Sequence, residues 1–153
     1  PGVLSRVSGL FSRRGYSIDS ITAGVTADPR FTRITVVASG DELILSQIEN
    51  QVRKLEDVIE IKLLKDGESV FRELIMIKVR VTAAQRGEIN SIADIFRAKI
   101  VDVQEESMII ELTGTQSKLE GFMNLLKGYE ILELARTGIT GLSRGCEDVT
   151  YIG

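Results

Sequence analysis

One arrangement of apolar and polar residues occurs twice along this chain of 153 residues, and the duplication restricts the fold more than any other feature. The first copy opens with Val3, Leu4, Val7, Leu10 and Phe11 at spacings of three and four, the apolar face of a helix. Pro1 suits a first helical position, where its missing N–H costs nothing. Arg13 and Arg14 fall in the last turn, where cations favour the helix dipole, and Gly15 supplies a left-handed stop. YSIDSITAGV and FTRITVVAS read as strands, and the TADPR turn between them makes a hairpin. Asp41 is placed to cap a second helix, DELILSQIENQVRKL, with Leu45, Ile48, Val52 and Leu55 as its buried stripe. DVIEIKLL then alternates through Ile59, Ile61 and Leu63 and predicts a strand with one apolar face.

KDGES is short, polar and contains Gly, the best linker candidate, and after it the pattern returns. FRELIMIKVRV predicts a strand, and QRGEINSIADIFRA a helix with Ile89, Ile92, Ile95 and Phe96 as its stripe. KIVDVQ and SMIIELTG predict two strands joined by an acidic turn at Glu105 and Glu106; QSKLEGFMNLLK is helical and YEILELAR closes as a strand. This order is βαββαβ, the ferredoxin-like plan, whereas the first copy reads αββαβ. The predicted fold class is therefore α+β, two tandem ferredoxin-like modules. Residues 1–65 form the first, lacking its leading strand in this numbering, and 66–153 the second, with a Gly-rich tail, GITGLSRG. The leading strand of such a module is central, so its slot calls for a strand outside this numbering or from another chain. Helices on one side leave the other sheet face bare, and Ile34, Val36, Ile59, Ile61, Ile75, Ile77, Ile109 and Leu112 cannot all face the helices. Small one-sided cores are marginal alone, so a homodimer is expected, or pairing of the two modules within one chain.

The chemistry-bearing residues narrow the function. The net charge of −3 comes without a basic stripe, which argues against nucleic acid. No run nears the roughly 18 apolar residues of a membrane span. Histidine is absent, which removes the commonest general base and metal ligand. Asp and Glu are scattered without a ligand pattern, so no metal site is predicted. The lone Cys146 has no disulfide partner and suits a reducing compartment. There is no G-x-S-x-G elbow, and Gly138, Gly141 and Gly145 do not form a dinucleotide fingerprint. Asn90 and Arg97 suggest a small ferredoxin-like enzyme only if a Gly-rich loop accompanies them, and none does. No catalytic residue is assigned. The Pro1-Gly2 start has a second reading besides helix entry: the first-turn N–H groups of Gly2, Val3 and Leu4 form an anion notch, with the Ser5 hydroxyl beside it. With no Lys at hand, a small carboxylate fits it better than a polyphosphate.

PGVLSRVSGLFSRRGYSIDSITAGVTADP, FTRITVVASGD and QIENQVRKLEDVIEI closely resemble the N-terminal ACT domain of the regulatory (small) subunit of acetohydroxyacid synthase, also called acetolactate synthase. FRELIMIKVRV, IADIFRAKIVDV, ELTGTQSKLEGF and EILELARTGITGLSRG resemble that subunit's second domain. The resemblance implies a non-catalytic subunit that activates the thiamine-diphosphate-dependent catalytic (large) subunit and confers feedback inhibition by a branched-chain amino acid, usually valine, in branched-chain amino acid biosynthesis. It implies no cofactor in this chain; thiamine diphosphate, Mg and FAD are expected only in the catalytic subunit. Partners would be that subunit and a second copy paired through ACT domains, with the effector at the dimer interface. Gly2, Val3, Leu4 and Ser5 would line the effector site, and Ser17 and Ile18 would reach it from the partner chain. The family pattern also has an Asn shortly before the Pro-Gly, outside this numbering, and often an Asn at the position of Ser17. The implied location is a bacterial-type cytoplasm or a plastid. A free-standing ACT-domain amino-acid sensor or co-regulator is the alternative, separated from the first reading by co-purification with the synthase.

Overall fold

The computed structural model describes residues 2–146, which fall into two compact units, one running to Val70 and taking in residues 139–146 as well, the other Phe71–Gly138. The division falls one residue beyond KDGES, and the tail groups with the first unit.

The first unit holds α1 (Val3–Arg14), β1 (Ser17–Val25), β2 (Thr32–Ser39) and α2 (Glu42–Arg53). Gly15 ends α1 at φ 70, so its N–H returns to the last carbonyls as a left-handed stop does. The Asp41 side chain caps α2 by accepting from the Ile44 N–H at 2.9 Å. β1 and β2 form the antiparallel hairpin, with a bulge between Ile18 and Ser20. Val7, Leu10 and Phe11 of α1 are buried with Ile48 and Val52 of α2, and Ile18, Val36 and Ala38 of the hairpin pack against them. Residues 58–65 are not a strand, contrary to the alternation of Ile59, Ile61 and Leu63. Val58 and Ile61 still pack on the core, so the apolar face is real. What is missing is a ladder partner: a ferredoxin-like module seats its first strand between its third and fourth, and no described stretch of this unit fills that place.

The second unit is complete. β3 (Ser69–Arg80), which starts at the end of the first unit, α3 (Ala83–Phe96), β4 (Lys99–Val103), β5 (Ser107–Gly114), α4 (Gln116–Leu125) and β6 (Glu130–Arg136) follow in order. The sheet order β4-β5-β3-β6 puts the module's first strand in the centre, as the ferredoxin-like plan requires. Ile75, Ile77 and Val79 of β3 and Met108, Ile110 and Leu112 of β5 all turn to the helices, where they meet Ile89, Ala93, Leu119 and Phe122. Phe96 meets Phe122 edge to face at 5.4 Å between centroids. Ile95 is off this stripe and 72% exposed. Six residues past Ile89 it lies on another side of the helix, and Ala93 takes the buried position. Ile109 has the opposite parity to its neighbours and faces away from the helices. The edge strand β6 leaves Ile131, Leu132 and Leu134 substantially exposed.

α3 starts in a capping box: Thr82 Oγ1 accepts from the Gln85 N–H at 3.3 Å, and Gln85 Oε1 accepts from the Thr82 N–H at 3.0 Å. Thr82→Ala is expected to lower stability by about 1 kcal/mol in urea unfolding, since the Gln85 N–H loses its hydroxyl acceptor. No loss beyond experimental error would mean that solvent caps this turn equally well.

Two stretches distant in sequence clasp one another in this unit. Glu73, only 4% exposed, receives Arg136 Nη2 at 2.6 Å and Nε at 3.2 Å, and this bond keeps the guanidinium more firmly protonated than usual. Leu74 and Thr137 add three bonds: the Thr137 N–H donates to Leu74 O at 3.0 Å, the Leu74 N–H to Thr137 Oγ1 at 3.2 Å, and the Thr137 hydroxyl to Leu74 O at 3.4 Å. Beyond Gly138, β7 (Thr140–Ser143) pairs with β3, whose first two residues belong to the first unit. The Gly-rich tail is therefore structured through Ser143.

Candidate functional site

The start of α1 is the least satisfied helix end in the described chain. α2, α3 and α4 are each capped by a side chain, Asp41, Thr82 and Thr115. α1 is preceded by Gly2, which has no side chain and sits at φ 89, a left-handed conformation that favours glycine. The helix thus begins at Val3 with Gly2 as its cap position; the reading of Pro1 as first helical residue lies outside the described residues. The Gly2 carbonyl accepts from the Arg6 N–H at 2.9 Å, so the turn is closed on its carbonyl side. The N–H groups of Val3, Leu4 and Ser5 precede the first intrahelical donor and have no partner within the helix.

Gly2, Val3, Leu4 and Ser5 are brought together on this turn, with Gly2, Leu4 and Ser5 exposed. Leu4 presents 43% of its surface, an apolar group beside the polar notch. Arg6 belongs to the same constellation, a cation that the absence of Lys from this turn does not exclude. A Cβ built on Gly2 would meet only Arg6 Nη2, at 3.9 Å. The signal was present as the i, i+4 spacing from Gly2, which stacks the two on one face. Arg6 also pairs with Asp57, so its guanidinium is held near the helix. From Ser5 and Arg6 a groove of about 420 Å³ runs along α1, lined further by Gly9, Arg13 and Leu55. First-turn donors and the positive end of the helix dipole favour an anion, with the Arg6 guanidinium, already paired with Asp57, beside them.

Ser17 and Ile18 are not brought to this notch. They begin β1 after the far end of α1, and a helix of 12 residues is roughly 18 Å long. Ser17 is exposed, while Ile18 packs against the unit's core. One chain by itself brings together four of the six predicted site residues.

Asn90 and Arg97 are both exposed on or after α3, where Arg97 serves as a left-handed C-cap at φ 58. Glu105 and Glu106 lie in the β4–β5 turn, and Arg86 donates to the carbonyls of Gln104 and Glu105. Among the described residues no group of His, Cys, Asp and Glu is placed to hold a metal ion, and no helix is long and apolar enough to cross a membrane.

Residues 1–60 match the model of the AHAS small subunit-like ACT domain, and residues 72–145 that of the small subunit of acetolactate synthase. The chain is 48% identical to the acetolactate synthase small subunit of Mycolicibacterium smegmatis, over 95% of this chain and 85% of that protein. It is 46% identical to the probable acetolactate synthase small subunit of Methanothermobacter thermautotrophicus, over 95% of this chain and 87% of the relative. The acetolactate synthase isozyme 3 small subunit of Escherichia coli is 43% identical, over 94% and 89%. The crystal structure of the acetolactate synthase small subunit from Thermotoga maritima superposes with a TM-score of 0.88 at 41% identity, over 96% of this chain and 92% of that one.

Proposed function

The chain belongs to the acetolactate synthase small-subunit family, and from that premise we propose that it binds the catalytic subunit, raises its activity and makes it sensitive to a branched-chain amino acid, valine in the first instance. The uncapped start of α1 is the observation that carries the reading. An α-carboxylate placed there accepts from the first-turn N–H groups of Val3, Leu4 and Ser5 and lies close to the Arg6 guanidinium. The isopropyl group of valine meets Leu4, and Gly2 admits the backbone approach that a larger residue would obstruct.

Ser17 and Ile18, distant within one chain, complete the site when a second copy pairs through its ACT domain. Effector binding and dimerisation are then linked, because the bound amino acid contacts both copies. Inhibition requires the amino acid to prefer the less active arrangement of the complex, by a coupling of about 1–3 kcal/mol. The chemistry stays with the catalytic subunit, whose thiamine diphosphate, magnesium and FAD take no ligand from this chain. The place of work is that of the synthase, the bacterial cytoplasm or a plastid.

Reconstitution tests this directly. Acetolactate formation by the isolated catalytic subunit should rise when this chain is added and fall again with valine. An enzyme indifferent to the added chain would sink the regulatory reading, whereas activation without a valine response would sink only the effector assignment.

A further inference from the structure

A notch of main-chain N–H groups accepts a carboxylate whatever else the molecule carries. Acetolactate, the compound the synthase forms, is a branched α-hydroxy carboxylate close to valine in size. Valine differs from it at the α-carbon by an ammonium group in place of the hydroxyl. A sensor seated on that enzyme needs a group that tells the two apart, and neither Leu4 nor the first-turn donors can. Asp57 is placed to do so. Its carboxylate pairs with Nη1 of Arg6, and Nη2 of the same guanidinium is the atom that a Cβ on Gly2 would meet, at 3.9 Å. A single guanidinium therefore spans from the notch to this carboxylate, all within the first unit. The turn after α2 holds Asp57 in place: the Leu55 N–H donates to Val52 O and the Val58 N–H to Leu55 O, both at 3.0 Å, and Leu55 and Val58 pack on the core.

We propose that Asp57, by offsetting the charge of Arg6, makes the site select an α-amino acid over the corresponding α-hydroxy acid. The proposal rests on the effector reading above. The Arg6–Asp57 pair is neutral as a whole, so the notch offers a carboxylate its N–H groups and the helix dipole, with little net positive charge. A zwitterion, itself neutral, loses little by this, and its ammonium gains from the acidic group behind Arg6. An α-hydroxy acid brings a full negative charge and meets no net cation to balance it. An Arg6 freed of Asp57 reverses the order, because it attracts the anion and repels the ammonium. Arg13, the other cation of the groove, stands seven residues on, about 10 Å along the helix axis, where salt largely screens it. Asp57 is a positioning residue: it acts through Arg6 and the field at the notch.

The test is calorimetry of the full chain with valine and with α-hydroxyisovalerate, its isostere bearing hydroxyl in place of ammonium. The readout is the ratio of the two affinities, which a general loosening of the site does not move. The parent should favour valine by more than about tenfold, and Asp57→Glu should keep that preference. Asp57→Asn should lower the ratio by at least about fivefold, whereas Arg6→Gln, which leaves the carboxylate alone beside the notch, should raise it. A parent with no preference for valine overturns the proposal. So does a ratio that stays unchanged, or moves the other way, in either variant. Both side chains are about half exposed, so both variants should fold; if one does not, the sign of the change in the other decides. A parent that binds neither ligand overturns the effector reading, and the role of Asp57 falls with it.

Discussion

Gly2→Asp should abolish the valine response without unfolding the protein. A carboxylate at the start of α1 would stand next to the effector carboxylate, and two like charges about 4 Å apart repel by about 4 kcal/mol at an effective dielectric near 20. The affinity should therefore fall by more than about a hundredfold. The substitution has room, since a Cβ at Gly2 meets nothing nearer than Arg6 at 3.9 Å. Strain from φ 89 is a cost shared by any side chain, and Asp and Asn tolerate this region best. Gly2→Asn is accordingly the control: the same backbone strain and nearly the same volume, without the charge. Asp should also tend to stabilise the helix, as a negative group at an N-terminus does. Calorimetry with valine on the two variants reads the difference. Equal losses in Asp and Asn would remove the carboxylate from this notch.

Arg136→Met should be the most destabilising of the substitutions considered. It leaves Glu73, buried at 4% exposure, without the two bonds its carboxylate now accepts. Breaking a buried pair from one side costs roughly 3–5 kcal/mol, and the half-exposed guanidinium places this case at or below the low end, about 2–3 kcal/mol. Adding Glu73→Gln to Arg136→Met should recover part of the loss, because a neutral amide is cheaper to bury than an orphaned carboxylate. Urea unfolding of the two single variants and the double variant closes the cycle. A single variant within about 0.5 kcal/mol of the parent would mean that water reaches the carboxylate and the pair contributes little.

Much of the fold is legible in residue order. The hairpin, the Asp41-capped helix and the second βαββαβ module follow from local spacing and turn chemistry, because there each local preference agrees with the tertiary arrangement. The stretch after Asp57 is where that agreement fails. Ile59, Ile61 and Leu63 alternate as a strand should, yet strand formation needs a neighbour, and periodicity carries no information about whether one is present. Ile95 fails for a different reason: Ala93, small and easily overlooked, holds the buried position that a larger residue was expected to fill. Of the candidate site, the cluster at Gly2–Ser5 is readable because consecutive residues of one turn are close by construction. Arg6 was available from helix geometry. The docking of the tail on Thr22 and Arg33 was not, since the contacts span 117 and 108 positions and involve main-chain carbonyls, which every residue possesses.

The two cores differ in a way that bears on how a signal is sensed. Among the described residues twelve buried residues form the core of the second unit and five that of the first, so this stretch of chain packs less apolar surface in the first, and its opening is expected at the smaller free energy. Amide hydrogens of the hairpin should therefore exchange sooner than those of β3 and β5. A region with such an accessible opening reaction is also one that a small molecule can noticeably order: binding only the closed form adds RT ln(1 + [L]/Kd), about 2.7 kcal/mol at a hundredfold excess over Kd. In a tightly packed unit that increment would be spread over an already rigid structure. On the effector reading proposed above it would fall on the less densely packed unit, and an amino acid of a few heavy atoms would then suffice to set that unit's breadth of motion.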